Sequence, residues 1–456
     1  MTIAHRPDVD PCDPSVLADV AAGDLRLTAA QCLRLYEEMP LVELGRWADA
    51  RARHLHGEHI RTYVIDRNIN YTNVCTAKCT FCAFRRDLGA EDAYTLSVGE
   101  ICEKIRALEA IGGTQILMQG GMNPELPLAW YENLLEEIKS SHPRVHVHAF
   151  SPPEVVEFVN FFDPPGSDFR AKVRWVLSRL QAAGLESIPG GGGEIFAPAV
   201  RQKIGMGKCD AEVWLSVMHV AHELGMNTSA TMMFGHIEGV ADRIHHMDLV
   251  RQWQDRSLAD FGDDGGGRYM AFISWPFQRE NTPLGRVPEW NRDTDGPFPG
   301  DVVATLDGTG CKTEHAAFGR RVRLAGASAY LRTQAISRLM LDNIYSIGAS
   351  WVTMGPHVGQ VALSFGANDM GSVMMEENVV SAAGTTYCLS EPVLCHLIRD
   401  AGFTPAQRDN GYDLLAVHDT DGSRDLQVDD WSELRRNRLH IQSTEAGETV
   451  SLSVDA

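Results

Sequence analysis

A single unit recurs through most of the sequence: an amphipathic helix, a glycine that stops it, a short apolar strand, and a glycine or polar residue at the strand's end. SVGEICEKIRALEAIGG (97–113) opens with Ser97 and Glu100, a capping box in which each side chain satisfies an otherwise unpaired amide, and stops at Gly112. The strand TQILMQGG follows. LPLAWYENLLEEIKSSH leads to VHVHAF, a helix ending QAAG leads to LESIPGGGGE, and DAEVWLSVMHVAHELG, with Asp210 as N-cap, leads to NTSATMMFG. Later units end in RYMAFISWPF, SIGASWVTMG and ANDMG. Counting TYVIDRNINYTN as the first strand, there are about eight units. Helices between successive strands imply crossovers and hence a parallel sheet. Eight of them predict an α/β fold of the closed (β/α)8-type TIM barrel, with an open doubly wound sheet as the other arrangement.

Residues 1–60 carry apolar residues at helical spacing and form an N-terminal helical segment. The barrel is expected over 61–408, interrupted near 159–172, 256–267 and 285–322 by Gly-, Pro- and Asp-rich runs that read as surface insertions. From 409 to 456 the chain turns polar and charged, as a loosely docked extension would.

The stretch NVCTAKCTFCAF (73–84) holds Cys75, Cys79 and Cys82 in a C-x3-C-x2-C pattern, and the next cysteine, Cys102, is far down the chain. Structural zinc takes four closed ligands, and most iron–sulfur clusters also take four. Three thiolates suit a [4Fe–4S] cluster whose fourth iron stays open to an exogenous chelator, for which S-adenosyl-L-methionine has the necessary amine and carboxylate. A zinc loop with a remote fourth ligand, or unrelated free thiols, are the other readings. The cysteines directly follow the first strand, at the face where barrel enzymes build their sites. Cys12, Cys32, Cys102, Cys209, Cys311, Cys388 and Cys395 suggest no role beyond packing.

Charge narrows the partners. With 41 basic and 61 acidic residues the net charge is −20, so the average surface repels a nucleic-acid backbone. No basic run precedes an apolar core at the N-terminus, and no stretch of about 18 apolar residues is present. Clustered thiols fit a reducing compartment, so a cytoplasmic protein without a membrane partner is expected.

C-x3-C-x2-C after the first strand of such a barrel resembles the radical S-adenosylmethionine (SAM) superfamily. Within it, DRNINYTNVC, TQILMQGGMNPELP, HAFSPPE, IPGGGGEI, ATMMFG, ASWVTMGP and FGANDMGSVMMEENVVSAAG are similar to the cyclic dehypoxanthinyl futalosine synthases of the futalosine route to menaquinone, over about 60–408. Arg85, Met354 and His357 depart from that pattern. The resemblance implies oxidoreductase chemistry on dehypoxanthine futalosine: hydrogen abstraction at the sugar C4′, radical addition to the benzoate ring, and an electron donor such as flavodoxin or ferredoxin. Aminofutalosine synthase and deazaflavin-type synthases are sister activities; a non-catalytic iron–sulfur or zinc module is the reading from another class.

The resemblance also assigns roles. Phe81 would pack on the cluster or on the cofactor's adenine, and Gln119, Gly120 and Gly121 would present groups to its methionyl amine. Gly192, in the run 190–193, would let backbone approach a ligand closely, and Glu194 would touch a ribose hydroxyl or substrate, or fix the loop. Met232 or Met233 would flank the adenine or lie in the core. Glu238 belongs to the same cofactor-binding segment, as a contact or a backbone tether. Alternation places His146, His148 and Phe150 on one strand face, with His148 nearer the C-terminal end and a candidate proton acceptor; a core histidine is the other reading. Asn368, Asp369, Glu376 and Glu377 would hold substrate hydroxyls or cap the barrel. Trp275, Trp351 and Phe277 would wall an aromatic substrate or pack the barrel.

Overall fold

The computed structural model describes residues 4–262, 265–309, 314–385 and 387–420. Cys311 and the extension beyond 420 lie outside them.

Three helices, Pro14–Ala22, Ala29–Glu38 and Leu41–His56, precede the barrel. Two start on side-chain caps: Asp13 accepts from the Ser15 amide, and Thr28 forms a capping box with Gln31. The third packs on the barrel helix Ala327–Met340.

The barrel strands are β1 (Ile60–Val64), β2 (Asp66–Ile69), β3 (Gln115–Met118), β4 (His146–Ala149), β5 (Ser187–Ile188), β6 (Asn227–Phe234), β7 (Tyr269–Pro276), β8 (Ser346–Gly348), β9 (Asp369–Ser372), β10 (Thr404–Arg408) and β11 (Leu414–Val417). All pair in parallel except β10 with β11. The sheet runs β11-β10-β1-β9-β8-β7-β6-β5-β4-β3-β2. Its two ends are joined because β1 and β2 are halves of one continuous segment. The Val64 carbonyl accepts from Val373 at 3.2 Å and the next carbonyl, Ile65, accepts from Thr114 at 3.1 Å. Neighbouring carbonyls of this one segment thus bond the chain beside β9 on one flank and beside β3 on the other, and the sheet curls into a barrel. The predicted capping box at Ser97–Glu100 and the cap at Asp210 begin helices Val98–Ala110 and Ala211–Glu223.

The C-terminal boundary differs from expectation. β10 lies beside β1 from Ile60 to Tyr63, and the Gln407 side chain donates to the Gly112 carbonyl at 3.1 Å. The strand fills the place beside β1 that β3, paired with β2 and β4 but not with β1, leaves open. The chain continues past 408 into the same feature, where Asn410 and Tyr412 reach the barrel interior and His418 is buried. A division at 408/409 therefore cuts through one structural element. The insertion boundaries shift too: helix Val240–Phe261 runs into the stretch expected to start at 256, and helices Pro152–Phe162 and Phe169–Ala183 occupy most of 159–172. Just before the long run expected from 285, Leu284 donates to the Thr80 carbonyl of the cysteine loop at 2.7 Å.

Strand alternation sorts side chains between two environments. Ile65, Ile116, Met118, Val147, Ala230, Met232 and Phe272 face outward and are buried under the helices. Val64, Asp66, Asn68, Gln115, Leu117, Gln119, His148, Ser229, Thr231, Ile273 and Trp275 line a cavity of about 370 Å³ inside the barrel.

A candidate active site at the barrel mouth

The cysteine loop follows β2 and is tied to two neighbouring loops by its backbone. Thr76 donates to the Met122 carbonyl (3.1 Å), Lys78 to Met206 (2.8 Å) and Thr80 to Ile204 (2.9 Å). Cys75, Cys79 and Cys82 gather with Ala77, Phe81 and Met122 in a small apolar cluster apart from the main core. Burial pushes the Cys79 thiol up to about 12 and raises Cys75, so both thiols are protonated at neutral pH. Among the described residues no three His, Cys, Asp or Glu side chains converge as the ligands of one metal ion would. Thiolates on three different irons of a cluster stand further apart than ligands of one ion. The donor set of three soft sulfurs in an apolar pocket fits an iron–sulfur cluster better than a single zinc.

Gly121 explains how the loop crosses β3. Its amide donates to the Thr72 carbonyl at 2.8 Å, and a Cβ here would stand 2.0 Å from the Val74 carbonyl oxygen and 2.9 Å from the Cys75 Cβ. Neighbouring Gly120 donates to Glu154 at 3.1 Å. Glu154, buried, also accepts from the Tyr71 hydroxyl at 2.6 Å and from Ser151, with which it forms a capping box. The strand end behind the cysteines is thus clamped by a carboxylate whose S-x-x-E signature lies within HAFSPPE.

The glycine run 190–193 packs against protein. A Cβ on Gly191 would meet the Gln119 amide at 2.1 Å, and one on Gly192, at φ +79°, would meet Pro153 at 2.3 Å. Arg201 holds the Gly192 and Gly193 carbonyls at 3.0 and 2.9 Å, and the Trp214 indole holds Gly191 at 3.0 Å. Close backbone approach was expected, but the partners are Gln119, Pro153 and Thr231 as well as the cavity. Glu194 follows in the left-handed region (φ 39°), lines the cavity and accepts from Lys208 at 2.9 Å. The Lys208 ammonium also lies 5.1 Å over the Phe81 ring. Burial opposes its charge, but Cys79 and Glu194 outweigh that, and its pKa is raised. Lys208, which no sequence motif singles out, couples the cavity to the cysteine loop.

The other predicted residues separate. Gln119, Gly192, Glu194 and His148 line the cavity, as do Trp275, Trp351, Asp369 and Glu377. Phe81, Gly120 and Gly121 sit at the cysteine loop. Met233 is sealed in the core off the cavity wall. Glu238 is also fully internal: it accepts from the Gly235 and His236 amides at 2.7 and 2.8 Å and from Arg243 at 2.9 Å. With its oxygens so engaged, and off the cavity, it tethers the turn after β6 and offers nothing to a cofactor. Asn368 braces the barrel through Arg338 (2.6 Å) and Ile347 (2.9 Å), and Glu376 pairs with Arg67 and Lys104 outside the cavity. Phe277 does not line it either.

Arg408, from the C-terminal strand, forms the cavity floor and grips Asp369 through two bonds of 2.6 and 3.0 Å. Glu377 accepts from Asn68 at 2.6 Å. The His148 ring is pushed down to about 3 by burial, with His146 and Arg408 contributing, so it stands neutral with Nδ1 2.6 Å from the Ser187 hydroxyl. A lining that mixes carboxylates, amides and hydroxyls with Trp275, Trp351, Ile273 and Met370 suits a guest with both hydroxyls and an apolar ring.

No helix among the described residues is long and apolar enough to cross a membrane. The sequence matches the Radical SAM superfamily over 69–250 and the CofH/MqnC C-terminal region over 313–420. A cyclic dehypoxanthine futalosine synthase of Halalkalibacterium halodurans is 38% identical over 87% of this chain and 93% of its own. A 5-amino-6-(D-ribitylamino)uracil–L-tyrosine 4-hydroxyphenyl transferase of Methanopyrus kandleri is 35% identical over 90% and 99%. In fold, the crystal structure of methylornithine synthase (PylB) superposes with a TM-score of 0.55 at 16% identity, covering 86% of this chain and 97% of that one. The chain belongs to the radical SAM superfamily, enzymes that employ a [4Fe–4S] cluster and S-adenosylmethionine, within the group bearing the CofH/MqnC C-terminal region.

Proposed function

We propose that the protein cyclises dehypoxanthine futalosine to cyclic dehypoxanthinyl futalosine. The observation that carries this reading is a cavity that joins hydroxyl-binding groups to an aromatic wall, beneath a three-cysteine loop, in a chain 38% identical to a synthase of that name. When bound, the cluster and S-adenosylmethionine supply the hydrogen-abstracting radical. Cys75, Cys79 and Cys82 would hold the cluster, Phe81 would pack against it, and Gly120 and Gly121 would fix the strand end beside it. Lys208 would offset the negative charge of Cys79 as a ligating thiolate. Gln119, Gly192 and Glu194 occupy the cavity wall nearest the loop and would orient the cofactor's polar groups.

The chain's task toward substrate is to hold the sugar C4′ and the benzoate ring together before reaction, since that proximity lowers the barrier most. Asn68, Gln115 and Ser229 offer bonds to hydroxyls, while Trp275 and Trp351 wall the ring. The substrate loses two hydrogens, one as an atom and one as a proton plus an electron. That electron balances the one consumed in cofactor cleavage. Neutral His148 would accept the proton. An external donor such as flavodoxin or ferredoxin would deliver the priming electron.

The test is anaerobic incubation of reconstituted, reduced protein with S-adenosylmethionine and dehypoxanthine futalosine, read by mass spectrometry. A product lighter by two hydrogens alongside 5′-deoxyadenosine supports the reading. Cofactor cleavage without that product discards the substrate. The relative at 35% identity makes tyrosine with 5-amino-6-ribitylaminouracil the second pair to offer.

A further inference from the structure

The side chains behind His148 continue away from the cavity. Ser187 Oγ lies 2.6 Å from His148 Nδ1 and 2.7 Å from His146 Nε2, so one hydroxyl bridges the two imidazoles. Ser187 is 1% exposed, and β4 pairs with β5 at the His148–Ser187 position, so the bridge is fixed by sheet register. His146 Nδ1 lies 3.9 Å from Glu186, whose carboxylate also accepts from Lys139 at 3.1 Å and from the Val147 amide at 2.8 Å. Glu186 is 37% exposed and His146 29%, whereas Ser187 is sealed. The row therefore starts at the cavity wall and ends in solvent near the start of β4, opposite the mouth.

We propose that His148, Ser187 and His146 form a proton path from the cavity to solvent at the barrel floor. The proposal rests on the reading that the substrate loses a proton beside His148. A serine hydroxyl has one proton, so it donates to one imidazole and accepts from the other. The arrangement that leaves a base facing the cavity has His148 protonated at Nδ1 and donating to Ser187, and Ser187 donating to His146 Nε2. Uptake of a proton at His148 Nε2 then moves the Nδ1 proton to Ser187, the serine proton to His146 Nε2, and the His146 Nδ1 proton to solvent water beside Glu186. Every heavy atom keeps its bonds and one proton crosses. Burial disfavours a lasting imidazolium at His148, so a group that takes a proton there needs to pass it on. A path through the floor lets it leave while the mouth, which must shield a radical, stays closed.

The experiment compares wild-type protein with Ser187→Ala, Ser187→Thr and His146→Gln in two measurements. The first is the ratio of 5′-deoxyadenosine to cyclised product. Positioned proton transfer contributes roughly 10²–10⁴-fold, so Ser187→Ala and His146→Gln should raise that ratio at least tenfold, with Ser187→Thr close to wild type. The second, independent of turnover, is 15N NMR of histidine-labelled protein, with His148 assigned by its loss in His148→Gln. His148 is expected as the Nδ1–H tautomer, with its resonances moved in Ser187→Ala. An unchanged ratio in both Ser187→Ala and His146→Gln, or His148 found as the Nε2–H tautomer, overturns the path. If wild type makes no cyclised product, the substrate reading fails and the tautomer alone decides the path.

Discussion

Arg408 offers a sharp test of how this barrel is closed. It comes from the last parallel strand and reaches the barrel interior, where Asp369 is its hydrogen-bonded carboxylate partner and Asp66 is a further nearby carboxylate. Both side chains are nearly sealed, at 8% and 3% exposure. Replacing Arg408 by Met keeps much of the volume and removes the guanidinium. Asp369 then retains the Thr62 hydroxyl at 2.5 Å and the Gly371 amide at 2.8 Å, but no counter-charge. Leaving one member of a buried pair uncompensated costs about 3–5 kcal/mol. With a urea m-value of about 3–5 kcal/mol/M for a chain of this size, the midpoint should fall by about 1 M. Adding Asp369→Asn removes the stranded charge while keeping an acceptor for Gly371. The double variant should therefore recover at least half of the loss. Urea unfolding followed by circular dichroism measures both. A single variant within about 0.2 M of wild type, or a double variant no better than Arg408→Met, would refute the claim that this pair locks β10 into the barrel.

Other consequences are simpler to read. Cys75→Ala, Cys79→Ala or Cys82→Ala should each abolish iron loading, measured by visible absorbance and iron content, together with cofactor cleavage; full activity in any one would sink the cluster assignment. Glu154→Ala strands the Tyr71 hydroxyl and the Gly120 and Ser151 amides, and should cost about 2–4 kcal/mol in urea unfolding while weakening iron retention. Acid should destabilise the fold through its buried histidines. His148 and His222 are both held near 3 by burial, below the ordinary value of 6.5. Depressed folded values mean that their contribution is whole above pH 6.5 and drains away as pH falls toward 3, by on the order of a few kcal/mol. A flat urea midpoint between pH 7 and 4.5 would contradict this.

What was legible in the sequence is what neighbouring residues settle among themselves. Ser97 with Glu100 and Asp210 with Val213 begin their helices through contacts within a single turn. The repeated strand–helix unit specifies a parallel barrel because crossover helices leave few other arrangements. The three cysteines fall on one loop after the first strand because their spacing is local. Tertiary structure decided which side chains share the cavity. Met233 and Glu238 lie in the right segment, yet one is sealed by packing and the other is consumed by Gly235, His236 and Arg243. Lys208 reaches Glu194 and Phe81 only through the path of the backbone after β5, and Ser187 meets two histidines only through the β4–β5 register. Arg408, 39 residues from Asp369, completes the floor from the last position expected in the barrel, and Asn410 and Tyr412 join it from a stretch whose polar composition suggested solvent. Polar residues far apart in a chain carry no periodic signal of their meeting. A closed sheet brings them to one interior, where each must find a partner because water does not supply one.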